Sequence, residues 1–201
     1  TDFVSRNEEV RAFVAAVAAE AARSEPSDSA ALNAMIVNGK PASGGVDDLI
    51  AKIGENLALG AFKVLSGGTI GSYIHHDKKL GALVKIDGGA SQDVADDLAM
   101  HIVFAQPSYR VREDVPADVI RKEKDIIIQS LKEDPKMASK PEEMLEKISV
   151  GKLDGFYKET VLADQPHFRE TKSSVSAYLS AAAKGATITD YFYIKVGGGA
   201  E

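Results

Sequence analysis

Cysteine is absent from the 201 residues, so neither disulfides nor thiolate metal sites can hold this chain together or carry its chemistry. Tryptophan is absent as well, and Phe, Tyr and Trp together make up 6% of the sequence. No apolar run approaches the roughly 18 residues that a membrane-spanning helix needs. Basic residues are in deficit: 24 Lys and Arg stand against 30 Asp and Glu, a net charge of −6. That balance argues against direct nucleic-acid binding, which calls for a basic face. No Gly-x-Ser-x-Gly elbow, phosphate-binding glycine loop or dinucleotide fingerprint between strand and helix occurs. Gly197-Gly198-Gly199 follows the last strand-like run, with no helix after it to hold a phosphate, and reads as an exit segment. What remains is a water-soluble, thiol-free, mildly acidic chain, long enough to bury a core in one or two domains and with no conventional active site.

The first readable element is a helix. Ser5 and Glu8 stand in capping-box relation, and Val10, Phe13, Val14 and Val17 follow at helical spacing to about Arg23. Residues 24–45, with Pro26, Pro41 and several Ser and Gly, read as a surface connection with one helical turn around residues 32–37. Val46, Leu49, Ile50, Ile53 and Leu57 form an amphipathic stripe that predicts a helix over 46–59. Gly54 falls in its middle, where glycine costs about 1 kcal/mol relative to alanine, and suggests close approach by another backbone.

Three strand-like runs follow, at 62–66, 70–75 and 81–87, with Gly67-Gly68 and residues 76–79 as turns. They predict an antiparallel meander. Residues 92–105 read as a helix stopped before Pro107. Residues 114–133 and 141–157 form a charge-rich helical hairpin, with Pro116 and Pro141 at first-turn positions. A short helix over 175–184 ends at Gly185. The last strand places Ile188, Asp190, Phe192, Ile194 and Val196 on one face and Tyr191, Tyr193 and Lys195 on the other.

His75, His76 and Asp77 invite a metal-site reading, and hence a metal-dependent enzyme. Adjacent strand residues point to opposite faces, so His75 and His76 converge only if the turn bends them together. His101 reads as a structural histidine on a packed helix. From the residues alone, Phe3 is equally an anchor for the first helix, Ile53 a core residue and His75 a solvated turn residue.

Several segments together resemble the translation elongation factor Ts family, the exchange factors for elongation factor Tu. They are Thr1-Asp2-Phe3-Val4 with Asn7, Lys52-Ile53-Gly54-Glu55-Asn56-Leu57, Gly71-Ser72-Tyr73-Ile74-His75 with Leu80-Gly81, Leu98-Ala99-Met100-His101-Ile102 with Pro107, Val115-Pro116 with Glu123, and Gln165-Pro166. They occur in the family's order along nearly the whole chain.

The resemblance implies an α+β fold of two subdomains, each a small antiparallel sheet with helices, plus an inserted antiparallel helical hairpin. The expected boundaries are 1–66 for the first subdomain, 67–112 with 158–201 for the second, and 113–157 for the hairpin. It implies an exchange factor rather than an enzyme of covalent chemistry, with no catalytic residue, no metal and no cofactor of its own. The implied partner is elongation factor Tu, GDP-bound and nucleotide-free. Thr1, Asp2, Phe3 and Val4 are implied to act beside that partner's Mg²⁺ and phosphate site, with Asp2 and Phe3 as the wedge. Ile53, Gly54 and His75 are implied to form a pocket for a helix of its G domain, and Phe168 and Arg169 to touch another of its domains. The family usually carries apolar residues at the last two positions, from which Arg169 departs.

The hairpin is also open to pairing two copies in a homodimer. The implied setting is a bacterial cytoplasm, a plastid stroma or a mitochondrial matrix, without membrane attachment. Family members carry further domains on both sides of this stretch, so upstream sequence is expected in the natural protein. A rival reading keeps the interface and drops the exchange activity, leaving a translation-associated adaptor.

Overall fold

The computed structural model describes residue 4, residues 6–137 and residues 139–195. It divides into two compact units, Thr1–Leu65 and Ser66–Glu201.

In the first unit, helix α1 spans Glu8–Ser24. Its N-cap is Asn7, whose side chain accepts from the N–H groups of Glu9 (2.9 Å) and Val10 (3.3 Å). The expected cap, Ser5, lies outside the described residues. Helix α2, Ser29–Ala34, begins at Asp28, which accepts from Ala31 N–H at 2.8 Å. The expected connection over 24–45 is therefore more structured than its Pro and Ser content suggested. It also contains a minimal hairpin, β1 (Ile36–Val37) with β2 (Lys40–Pro41), turning on Asn38-Gly39. Both turn residues have positive φ, which Asn-Gly tolerates better than other pairs.

Helix α3 runs over Ala42–Ile53, four residues earlier at its start than the apolar stripe indicated and six shorter at its end. The core of this unit gathers Val17, Ala21, Leu32, Val37 and Ala42, with Phe13, Leu59, Phe62 and Val64 against it. Residues 62–66, expected as a strand, join no ladder among the described residues. Phe62 and Val64 pack on the core of this unit instead.

The second unit is built on the antiparallel sheet β3 (Thr69–Ile74), β4 (Leu80–Asp87) and β5 (Thr187–Lys195), in that order. Helix α4 (Gln92–Ala105) lies on its inner face, and α7 (Val175–Ala182) adds to the core. Gly71 permits the closest approach. A Cβ there would stand 2.0 Å from Ala95 O, so α4 packs backbone to backbone on β3. At the same edge of the sheet, Asp96 Oδ1 accepts from Ser72 N–H at 2.8 Å, and Gln92 Nε2 donates to Ile70 O at 2.8 Å. Helix side chains thus cap backbone groups that an edge strand would otherwise leave unpaired.

The face expected of β5 is corrected by its register. Pairing runs Lys85 to Asp190 but Ile86 to Ile188, a bulge that takes Thr189 out of the alternation. Ile188 therefore joins Tyr191 and Tyr193 on the core side, behind Ile86, Val84 and Ala82. Asp190, Phe192 and Ile194 take the other face.

Helices α5 (Ala117–Glu133) and α6 (Glu142–Thr160) form the hairpin between α4 and α7, with Leu131, Leu145, Ser149 and Leu153 buried. Its root is tied where Ser108 and Tyr109 N–H both donate to Thr160 O and Leu162 N–H donates to Tyr109 O. Arg112 adds ion pairs to Asp154 (3.1 Å) and Asp164 (2.7 Å), and its guanidinium lies 4.5 Å from the Tyr157 ring centroid.

Candidate functional site

Of the four-residue signature at the start of the chain, Thr1, Asp2 and Phe3 lie outside the described residues. Val4 is buried, and its carbonyl accepts from Asn7 N–H at 3.1 Å. It anchors the segment just ahead of α1.

Ile53 and Gly54 sit together at the C-terminus of α3. Gly54 is not a mid-helix residue, as the stripe suggested, but the left-handed cap: φ is 76°, and its N–H donates to Ile50 O at 2.8 Å. A Cβ at Gly54 would meet nothing within 4 Å, so glycine is required here by backbone conformation and leaves open space beside a half-buried Ile53. Lys52, one residue earlier, pairs with Glu9 at 2.7 Å, which ties α3 to α1 and raises the lysine pKa.

His75 lies at the turn between β3 and β4. Its N–H donates to Leu80 O and its carbonyl accepts from Lys78 N–H, closing a tight turn in which Lys78 has φ 58°. Asp77 serves that turn by accepting from Lys79 N–H at 2.8 Å. The Tyr73 hydroxyl is 3.3 Å from His75 Nδ1. The His75 and His76 rings do come together, centroids 4.2 Å apart, because the turn breaks the strand alternation. Among the described residues, however, no group of three or more His, Asp or Glu is gathered to hold a metal ion.

The remaining expected residues occupy a turn at the C-terminal end of α4, where the structure has most to say. Met100, His101 and Phe104 come from α4, and Gln165 to Glu170 from the segment after the hairpin. His101 is fully buried. Its Nδ1 accepts from Phe168 N–H at 3.2 Å, and its Nε2 is 3.1 Å from Gln165 Oε1. Gln165 donates from Nε2 to Glu159 O (2.9 Å) and Ala105 O (3.3 Å), which fixes its amide with Oε1 toward the histidine. His101 is therefore the neutral Nε2–H tautomer, assigned from its partners. Burial, the largest influence, lowers its pKa to about 4.

His167, equally buried, stacks on Tyr178 with centroids 4.0 Å apart and planes 9° from parallel. Its Nδ1 accepts from Glu170 N–H at 3.3 Å. Its Nε2 stands 3.2 Å from Asp97 Oδ2 but off the line of a hydrogen bond. Burial lowers the His167 pKa, and Asp97 opposes that shift. The same Asp97 oxygen accepts from the Tyr178 hydroxyl at 3.0 Å, and desolvation with this bond pushes the Tyr178 pKa up to about 12.

Arg169 departs from the apolar residue expected at its position but has a place. Its guanidinium lies 5.0 Å from the Phe168 ring centroid, and Nη2 is 3.3 Å from Asp97 Oδ1. Beside it, the Phe104 ring lies 6.0 Å from that of Phe168 and is 74% exposed. Sequence reading missed Phe104, Asp97 and Tyr178. One signal was present: Phe104 falls off the Ala95, Leu98, Ala99, Ile102 stripe that faces the core, so an aromatic was left pointing elsewhere.

The order and character of these segments find their match in known proteins. Residues 1–198 fit the family model described as Elongation factor TS. The chain belongs to the elongation factor Ts family. Elongation factor Ts of Cellvibrio japonicus is 36% identical over 201 residues, covering 100% of this chain and 65% of the relative. That of Aromatoleum aromaticum is 37% identical over 202 residues, covering 100% and 66%. That of Corynebacterium glutamicum (strain R) is 38% identical over 204 residues, covering 98% and 72%. The chain thus spans about two thirds of the length of these relatives. Among the described residues, no helix is long and apolar enough to cross a membrane.

Proposed function

We propose that this elongation factor Ts chain is a translation elongation factor that promotes nucleotide exchange on elongation factor Tu, binding both its GDP-bound and its nucleotide-free forms. The reading rests on family membership over residues 1–198. A GTPase holds GDP through ordered contacts to the phosphates and a Mg²⁺ ion. In this reading Asp2 and Phe3 enter beside that ion. An apolar wedge there disturbs its coordination and removes charge neutralisation from the β-phosphate. Ile53, Gly54 and His75 receive a helix of the G domain, and Phe168 and Arg169 meet a second domain. Binding energy gained in the nucleotide-free state weakens nucleotide binding by the factor with which nucleotide weakens Ts binding, since the two are linked. No bond of the nucleotide is broken. The setting is the compartment that houses elongation factor Tu.

The open space beside Gly54 supports this reading, because the helix end can be approached without displacing a side chain. Stopped-flow release of a fluorescent GDP from elongation factor Tu tests it. The chain is expected to accelerate release, and Phe3→Ala to reduce the acceleration by at least about tenfold, the equivalent of one buried aromatic contact. Binding without any acceleration would instead identify an adaptor.

A further inference from the structure

Two buried imidazoles hold the turn that carries Phe168 and Arg169. His101 Nδ1 accepts from Phe168 N–H, and His167 Nδ1 accepts from Glu170 N–H. Both rings are fully buried, with centroids 5.6 Å apart and planes 14° from parallel. A core histidine needs only to be satisfied. This one is satisfied in a directional way, because Gln165 can present only Oε1 to Nε2 and thereby leaves Nδ1 free to accept.

We infer that His101 is a positioning residue for partner binding: its unprotonated Nδ1 fixes the backbone of Phe168 and so sets how the Phe168–Arg169 face, with Phe104 beside it, is presented. The inference rests on the reading that this face meets elongation factor Tu.

Three features make the turn sensitive to that one bond. Phe168 is only half-buried, so its ring is not held by the core. Its neighbours Phe104 and Arg169 are both largely exposed, at 74% for Phe104 and 59% for the arginine side chain. Arg169 is held at one end by Asp97, so a shift of the Phe168 backbone would slide the ring out from beneath the guanidinium. The buried ring also stays neutral across the physiological range, so the acceptor persists. A pre-ordered platform loses less entropy on binding than a loose turn would.

Asn and Gln separate the two nitrogens of His101. His101→Asn keeps an acceptor near the position of Nδ1, whereas His101→Gln keeps a donor toward Gln165 and loses the acceptor. The dissociation constant for nucleotide-free elongation factor Tu is measured for both variants, for Phe168→Ala and for the His101→Gln/Phe168→Ala pair. We expect His101→Gln to weaken binding about tenfold and His101→Asn to stay within about threefold. We also expect the double variant to be no weaker than Phe168→Ala alone, as for groups acting through one another. Equal effects of Asn and Gln, or additive effects in the double variant, would overturn the inference while leaving the interface reading intact. If Phe168→Ala binds like the unmodified chain, the interface reading fails and the inference fails with it. Amide exchange in the free chain gives a readout independent of binding. Phe168 N–H should be protected in the unmodified chain and in His101→Asn and should exchange faster in His101→Gln; unchanged protection in His101→Gln would overturn the inference.

Discussion

Gly54 carries two distinct demands that one substitution can separate. Its φ of 76° belongs to the left-handed region, where alanine costs about 1–2 kcal/mol and asparagine much less. The space around its missing side chain is open, so the folded chain itself does not require the absence of a Cβ. Gly54→Asn should therefore leave the thermal midpoint nearly unchanged. If a partner helix approaches this point, the same variant should weaken binding to elongation factor Tu by about tenfold or more. Retained affinity would reduce Gly54 to a helix terminator. Sequence alone pointed to this residue for the wrong local reason, since the stripe running to Leu57 hid the helix end. The glycine itself was the stop signal, and the apolar residues beyond it, Leu57 and Leu59, lie outside any helix or strand.

At the scale of elements, the packing of α4 on β3 decides the second unit. Gly71 lets Ala95 O come within 2.0 Å of where a Cβ would stand, and Asp96 and Gln92 complete the contact through the strand's backbone. Gly71→Ala should destabilise the chain by about 3 kcal/mol, since backbone on both sides has nowhere to move. Denaturant unfolding measures it, and a loss below about 1 kcal/mol would show that the helix can lift away. The extent of α4 was legible from Gln92 to Ala105, because the helical run stops before Pro107. The face of β5 was not. Alternation predicted Ile188 with Phe192 and Ile194, but one bulged residue reverses the alternation partway along, and bulges leave little trace in composition. The minimal hairpin at Asn38-Gly39 was missed although its turn pair is a strong signal, because strands of two residues carry no periodicity.

For the molecule as a whole, pH reports on the buried histidines. The His101 pKa is lowered from 6.5 to about 4, and that of His167 is lowered as well, both chiefly by burial. Unfolding returns them to ordinary values, so between these limits the unfolded chain binds more protons than the folded one. Their contribution is fully present above pH 6.5 and is lost as pH falls toward 4, by up to ~3 kcal/mol for His101. Denaturant titrations at pH 7 and pH 4.5 should show that loss, and His101→Asn should recover part of it relative to its own value at pH 7. An equal acid loss in both would assign the effect to groups other than His101, with His167 and the carboxylates among them.

The sequence by itself determined the class of fold, most helices, the pairing of β3 with β4 and the family, because these depend on periodicity, caps and ordered motifs that are local along the chain. Tertiary structure alone decided that Gln165 turns His101 into an acceptor for Phe168 and that Asp97 holds Arg169. It also decided that Phe104 completes an exposed aromatic face. Those contacts join residues more than sixty positions apart, and a hydrogen bond's direction depends on where both ends stand in space.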